Sequence, residues 1–368
     1  MTDLQTTWTE HELLETHPIE EPLWAGGVKC HGGFDADGQY VSPRTLNRFP
    51  AIRNWQEQRK AQFGTDILDI ELSSWPEHYP SVDQSRYLIS EGVTAPFVSI
   101  LTRIGTVEGF GSMIRYSVMP DMQACFDEEI TGTAMSHLDG GLYEAHARDE
   151  AGFGDEGGHK QMWFAARDIA FDNPVTKDET EFMLARMGIG AKPGAPDVSG
   201  ARKQMLGERT FDDIDVNLEM LIARMASLLL IEISAYHTFA WAEEVLSDTA
   251  LVSGEGEAAR LVSYIRSDEA PHVEYLKTTL SEMRDRTFVG ESGKKHPGTK
   301  IVGQLWDQAK ANSFGARRDQ MLAQTLGEIT YALEGNARKD EILERFHSLG
   351  TVRPKADGTW ETAEPLAY

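Results

Sequence analysis

Two stretches, FGDEGGHKQM at 153–162 and RSDEAPHVEY at 266–275, carry the same skeleton, Asp-Glu-x-x-His, about a hundred residues apart. On a helix, residues i and i+3 share a face, so Glu156 with His159, and Glu269 with His272, can each grip one metal ion. A centre of two ions then needs one carboxylate from each of two further helices. Glu232 supplies one, because it interrupts the apolar run SLLLIEISAY. Buried there, an ionised carboxylate costs several kcal/mol unless it meets a cation or takes up a proton. For the other, Glu129 in CFDEEITGTAM shares a helical face with Met122, Phe126, Thr133 and His137, with Glu128 and Asp127 as close rivals. Glu108 is buried by pattern but lies too far back for a direct hairpin with Glu156.

A metal-bound imidazole usually donates its outer N–H to a carboxylate. Asp155 and Asp268 are placed to do so, each for the histidine of the opposite motif. Trp163 and Tyr236 follow the ligand positions by one turn and are the candidates for lining a substrate pocket; Tyr275 follows His272 by three residues. His137 and His237 are not at ligand spacing and read as structural. Chance alone yields roughly one Glu-x-x-His in a chain of this composition, and Glu344 with His347 is such a case, lacking the preceding Asp. The added Asp and the duplication set the other two apart.

Four carboxylates and two imidazoles form a hard, oxygen-rich donor set, which favours two iron ions, with manganese as the alternative, over thiolate zinc. Such a pair can use O2 for a two-electron oxidation. The chain has no dinucleotide fingerprint and no ferredoxin-type cysteine spacing. Electrons therefore come from an external donor: a separate reductase, a small carrier or the substrate.

The elements that must position these residues are mostly helical. APFVSILTRIGTVEGFGSMIRYSV, from 95, places Phe97, Leu101, Ile104 and Val107 on one face and predicts a buried helix ending near Pro120. Further helices are predicted over about 122–138, 142–172, 212–247 and 257–286, with a loop-rich stretch at 175–210. The glycines 152, 154, 157 and 158 loosen the first half of the third, and Pro271 predicts a kink or bulge between Glu269 and His272. Two similar helix pairs make a four-helix bundle the economical arrangement. Residues 1–90, rich in Gly, Pro and Trp, read as an irregular arm with a hairpin near Asp37-Gly38; 91–290 read as the bundle; 291–368 read as a C-terminal helical extension. The fold class is all-α.

DEGGHKQMWFAARDIA and DEAPHVEYL resemble the paired metal-binding helices of ferritin-like diiron carboxylate proteins. EEITG followed by DEGGH is similar to the oxygenase subunits of phenylacetyl-CoA and benzoyl-CoA epoxidases, and more loosely to aryl-amine N-oxygenases. The resemblance covers about 120–290 and implies Glu129, Glu156, His159, Glu232, Glu269 and His272 as iron ligands. Ile265 stands where the N-oxygenases carry an extra metal-binding histidine. The implied activity is a non-haem diiron monooxygenase that hydroxylates, epoxidises or N-oxygenates a small organic substrate. The alternatives are a radical-generating subunit like the small subunit of ribonucleotide reductase, kept open by Tyr236, and an iron-storage protein or metal-free scaffold. Storage is disfavoured because nearly half the chain lies outside the bundle.

The 368 residues carry a formal charge of −24, which argues against nucleic acid and anionic membranes as partners. No apolar run approaches the roughly 20 residues that span a bilayer. Two cysteines and an acidic, polar start point to a cytoplasmic setting. A homodimer is compatible with all of this.

Overall fold

Pro96 sits in the first turn of a helix that runs Ala95–Gly111, where the missing N–H has no intrahelical partner to lose. Asp215 caps another, Val216–Leu246, by accepting from the backbone N–H groups of Asn217 and Leu218. These helices belong to a mostly helical chain seen in a computed structural model, which describes residues 4–70, 75–171, 209–355 and 360–361. In chain order the helices are α1 (Glu10–Leu13), α2 (Arg48–Phe63), α3 (Val82–Ser90), α4 (Ala95–Gly111), α5 (Tyr143–Ala151), α6 (His159–Phe171), α7 (Val216–Leu246), α8 (Glu257–Asp268), α9 (Ala270–Arg284), α10 (Gly298–Phe314), α11 (Ala316–Ala332) and α12 (Lys339–Leu349). A three-stranded antiparallel sheet precedes α2: β1 (Glu21–Ala25), β2 (Val28–Phe34) and β3 (Tyr40–Val41), with Phe34 opposite Tyr40 across the Asp37-Gly38 turn. A second hairpin, β4 (Thr287–Val289) with β5 (Lys295–Pro297), occupies most of the expected 290–300 loop.

Four helical runs surround the centre of the molecule. The first is α4 and the third is α7. The second is α5 followed by α6, and the fourth is α8 followed by α9. Packing joins α4 to α5 and α6, α6 to α8, and α7 to both α8 and α9. The apolar core divides at one level. On α7 the lower cluster ends at Ile233 and the upper begins at Ala235. On the second run the division falls between Ala147 and Met162, and on the fourth between Ile265 and Tyr275. A polar layer fills the gap at each division.

The structure corrects two of the expected helices. Residues 122–138 form only short 3-10 turns, at Gln123–Cys125 and Ala134–His137. Between them the Glu129 carboxylate accepts from the N–H groups of Ile130 and Thr131 and from the Thr131 hydroxyl, and Gly132 takes a positive φ of 73°. Local side-chain bonds of this kind compete with a helix and win where Thr and Gly are weak formers. The 142–172 helix is broken into α5 and α6 by residues 152–158. Gly152 has φ +83°, and Phe153 and Glu156 exchange both backbone hydrogen bonds as a tight bridge. A Cβ on Gly158 would drive into the Gly152 nitrogen and the Asp149 carbonyl oxygen, so the two ends of this loop touch.

At Pro271 the fourth run does break, with Glu269 as the junction residue between α8 and α9. The 175–210 loop and the end of the 142–172 segment fall largely outside the described residues, as does most of the polar C-terminal end. Among the described residues, no helix is long and apolar enough to cross a membrane.

Candidate metal centre

The polar layer is a cluster of buried acids and imidazoles. Glu108 enters from α4, His146 and Glu150 from α5, His159 from the start of α6, Glu232 from α7, Glu269 from the α8–α9 junction, and His272 from α9. All are at most 6% exposed. Their donor atoms form two groups able to hold an ion: Glu108, Glu150, His159 and Glu269, and His146, Glu150, Glu232 and His272. Glu150 belongs to both.

Distances show how the acids sit between the rings. His159 Nδ1 lies 2.9 Å from Glu269 Oε1, 3.3 Å from Glu150 Oε1 and 3.6 Å from Glu108 Oε2. His272 Nδ1 lies 2.7 Å from Glu269 Oε2 and 3.4 Å from Glu150 Oε1. Glu269 therefore turns one oxygen to each histidine. Both histidines point Nδ1 inward and Nε2 outward to an aspartate: His272 to Asp149 at 2.9 Å, and His159 to Asp268 at 3.6 Å.

The N-terminal region clamps these two aspartates. Arg44 Nε and Arg48 Nη2 donate to Asp149 at 2.7 and 2.8 Å. Tyr40 donates to Asp268 at 2.7 Å, and His31 Nε2 meets the same oxygen at 3.2 Å. Arg44 also reaches His31 Nδ1 at 3.2 Å, which joins the two clamps. His31, His159 and Asp268 form a third group of close donors.

Two observations test whether metal fits. The first is unmet hydrogen bonding: Glu108 Oε2, both Glu150 oxygens, Glu269 Oε1, His146 Nε2 and both His159 nitrogens are buried with no hydrogen-bond partner, although ion-pair contacts surround them. Buried polar atoms are rarely left so. The second is charge. Glu108, Asp149, Glu150, Glu232, Asp268 and Glu269 are six buried carboxylates facing two buried guanidiniums, Arg44 and Arg48. Four negative charges remain, which is the charge of two divalent cations. The residues fit such a pair.

Without ions the cluster must compensate with protons. Burial, then the Glu150 charge, raises Glu108 well above the usual carboxylate range. Burial, then Glu269, does the same to Glu232, and burial raises Glu150. Against the opposing effect of burial, Glu269 and Glu150 hold His159 well above its ordinary value, and Glu269 and Asp149 lift His272 to about 9. Burial also opposes ionisation of Glu269, but His159 and His272 bring it well below the usual range. Arg44 and Arg48 overcome burial to do likewise for Asp149. The imidazolium charges stand where cations are wanted.

Four of the six expected ligands, His159, Glu232, Glu269 and His272, are brought together here. Glu129 is not. It lies exposed in its own turn, with neighbouring Glu128 bonded to Thr287 and Asp127 to Lys295. Glu156 is not either: its carboxylate is 39% exposed beside Lys29, because the glycines turn the motif into a loop rather than a helix. Asp155 is likewise exposed and pairs with Lys29 at 3.0 Å, leaving Asp149 in the position expected of it. Glu108, set aside on sequence distance, takes the place given to Glu129.

Trp163 packs in the core with Phe239, ring centroids 4.8 Å apart. Tyr236 is 45% exposed and lies under the Arg266 guanidinium, away from the cluster. His237 stacks on Trp75, and His137 accepts from Trp8 N–H and bonds Thr133 O, both structural roles.

Sequence reasoning missed His31, His146, Asp149 and Glu150. A signal for the last two was present: HARDE at 146–150 contains another Asp-Glu pair, separated from His159 by the eight residues AGFGDEGG. In the fourth run, Asp268-Glu269 precedes His272 by two intervening residues. The spare Asp-Glu inside the insertion sits at helical spacing from His159 and so hides the pair that converges on it. No protein-family model, curated protein or solved structure matches this chain.

Proposed function

We propose that this protein is a non-haem diiron oxygenase of the ferritin-like carboxylate class, oxidising a small organic substrate with O2. The observation that carries the reading is the placement of Glu269, with Oε1 toward His159 and Oε2 toward His272, each at 2.9 Å or less. A carboxylate so divided would be able to bridge two ions, and Glu150, shared by both donor groups, could serve as a second bridge. Glu108 and His159 would help hold one ion, and Glu232 and His272 the other.

When bound, a carboxylate-bridged iron pair supplies two-electron activation of O2. The chain supplies the rest. Asp149 holds the His272 ring with Nδ1 inward, and Asp268 lies 3.6 Å from the outer nitrogen of His159. Trp163, Met162, Phe239 and Ile265 shut water out on one side of the cluster, and Tyr143, Ala147 and Tyr275 on the other. The 151–158 loop forms a short outer wall between Glu150 and His159. A surface cleft of about 330 Å³ lined by Lys29, Phe153, Glu156 and Gln161 opens over this loop, and is the proposed approach for substrate. Electrons come from a separate reductase or carrier. Both cysteines are free and buried, which suits a reducing, cytoplasmic setting.

The test is single-turnover oxidation. Iron-loaded, chemically reduced protein is mixed with O2 in the presence of a panel of aromatic, acyl and amine substrates. An oxygenated organic product supports the reading. Protein grown with ample iron that holds neither iron nor manganese overturns it, and a growing ferric core without organic product would assign storage.

A further inference from the structure

Beyond four carboxylates and two histidines, the cluster contains a third imidazole. His146 is fully buried, one helical turn before Glu150 on α5. Its Nε2 points at Glu232 Oε1 and Glu150 Oε1, 3.5 and 3.8 Å away, and makes no hydrogen bond. Its ring stacks nearly parallel on His272, centroids 3.9 Å apart and planes 15° apart. At the other edge, Nδ1 lies 3.1 Å from the hydroxyl of Tyr275, itself fully buried. With the proton on Nδ1 and the Tyr275 oxygen accepting it, Nε2 presents a lone pair to the space between Glu232, Glu150 and His272.

We infer that His146 is a metal ligand, and that the two ion sites are chemically unequal because of it. The inference rests on the dimetal reading above. One site offers three carboxylates and one imidazole: Glu108, Glu150, Glu269 and His159. The other offers Glu150, Glu232, His146 and His272, with Glu269 Oε2 2.7 Å from His272 Nδ1, so it differs from the first by a second imidazole. Nitrogen donors favour later first-row ions, and affinity rises along the series toward Cu(II). The two-imidazole site therefore fills first and holds its ion more tightly, while the one-imidazole site loads second. Tyr275 is a positioning residue in this arrangement, holding the His146 ring by its Nδ1 edge so that Nε2 faces the acids.

The buried, unpartnered Nε2 argues against a purely structural role for His146. Its donor atom and those of Glu150, Glu232 and His272 all lie within 4.8 Å of one another. A core histidine with no ligand would instead find a hydrogen-bond acceptor for its second nitrogen.

The full-length protein, stripped of metal, tests this with one equivalent of Cu(II) and pulsed electron-spin-echo spectroscopy. The expected spectrum contains modulation from two imidazoles; one imidazole overturns the inference without touching the dimetal reading. Co(II) titration followed by visible absorption is the second arm. Wild-type protein is expected to bind two equivalents in two steps. Glu108→Ala should retain the tight step, and His146→Gln should weaken it by at least ~10-fold, with Tyr275→Phe showing a smaller change in the same direction. Two identical steps in the wild type, or a His146→Gln titration that overlays it, overturns the inference. Failure to bind any divalent ion overturns the dimetal reading itself.

Discussion

Asp149 on α5 accepts His272 Nε2 of α9 at 2.9 Å, across 123 residues of sequence, while two guanidiniums from the N-terminal region hold its oxygens from the other side. The ring of a candidate ligand is thus oriented by a helix in the opposite half of the protein. Asp268 faces His159 Nε2 at the longer distance of 3.6 Å, with His31 and Tyr40 in place of the arginines. Each half's aspartate thus faces the other half's histidine, by a hydrogen bond at Asp149 and at 3.6 Å at Asp268.

Removing Asp149 should be costly. Asp149→Ala leaves Arg44 and Arg48 buried beside no counter-charge, and the loss of one partner from a buried pair is worth about 3–5 kcal/mol. Chemical denaturation of the metal-free protein should show a fall of that size. A fall under about 1 kcal/mol would mean that water or another acid takes the place of the carboxylate.

Glu108 and Glu129 make opposite predictions for metal content. Glu108→Ala is expected to lose about one of two irons by elemental analysis, because Glu108 belongs to one donor group. Glu129→Ala and Glu156→Ala should retain both irons, their carboxylates being engaged by Thr131 and lying beside Lys29. Retention of both irons in Glu108→Ala would remove α4 from the centre.

Gly158→Ala tests the α5–α6 junction. An added methyl must push apart the Gly152 nitrogen and the Asp149 carbonyl, and no flexible side chain is there to yield. Overpacking of this kind typically costs about 1–3 kcal/mol. Because the displaced backbone joins Glu150 to His159, iron content should fall together with melting temperature. A variant with lowered stability but full iron would uncouple the loop from the site.

Glu282 gives a pH dependence remote from the cluster. It is 1% exposed on α9, and both oxygens accept backbone N–H groups, from Ala134 and Met135. Burial raises it to about 7 despite those bonds. A folded-state value above the unfolded one means that the native state holds the extra proton. This contribution to stability is complete below about pH 4.5 and is lost as pH climbs to about 7, on the order of 3 kcal/mol at most. Glu282→Gln should begin less stable, since the amide has one acceptor oxygen for two N–H groups, and should lack this slope. An unchanged slope in denaturation curves between pH 5 and 7 would assign it elsewhere.

Apolar periodicity and buried-acid logic reached α4, α7, and the fourth run with its break at Pro271, since each is a continuous pattern along the chain. The same logic reached Glu232, Glu269 and His272, whose spacing is helical and whose helices form as expected. It failed where two local patterns competed. DEGGH at 155–159 and DE at 149–150 are equivalent as strings. Only the folded loop, closed by Gly152 and Gly158, decides that Asp155 and Glu156 face solvent while Asp149 and Glu150 face His159. Glu129 was favoured by a helical face that never forms, because its own carboxylate bonds the local backbone instead.

The sequence alone determined that Glu232 is buried on a helix and that Glu269 and His272 meet across one turn, because a glutamate in an apolar run and an acid three residues before a histidine admit few other uses. Tertiary structure alone decided which of them meet. The convergence of Glu108, His146 and Glu150 with His272, and the clamping of Asp149 by Arg44 and Arg48, depend on how helices cross and where the N-terminal region lies. Contacts across more than a hundred residues leave no periodic trace in the chain that makes them.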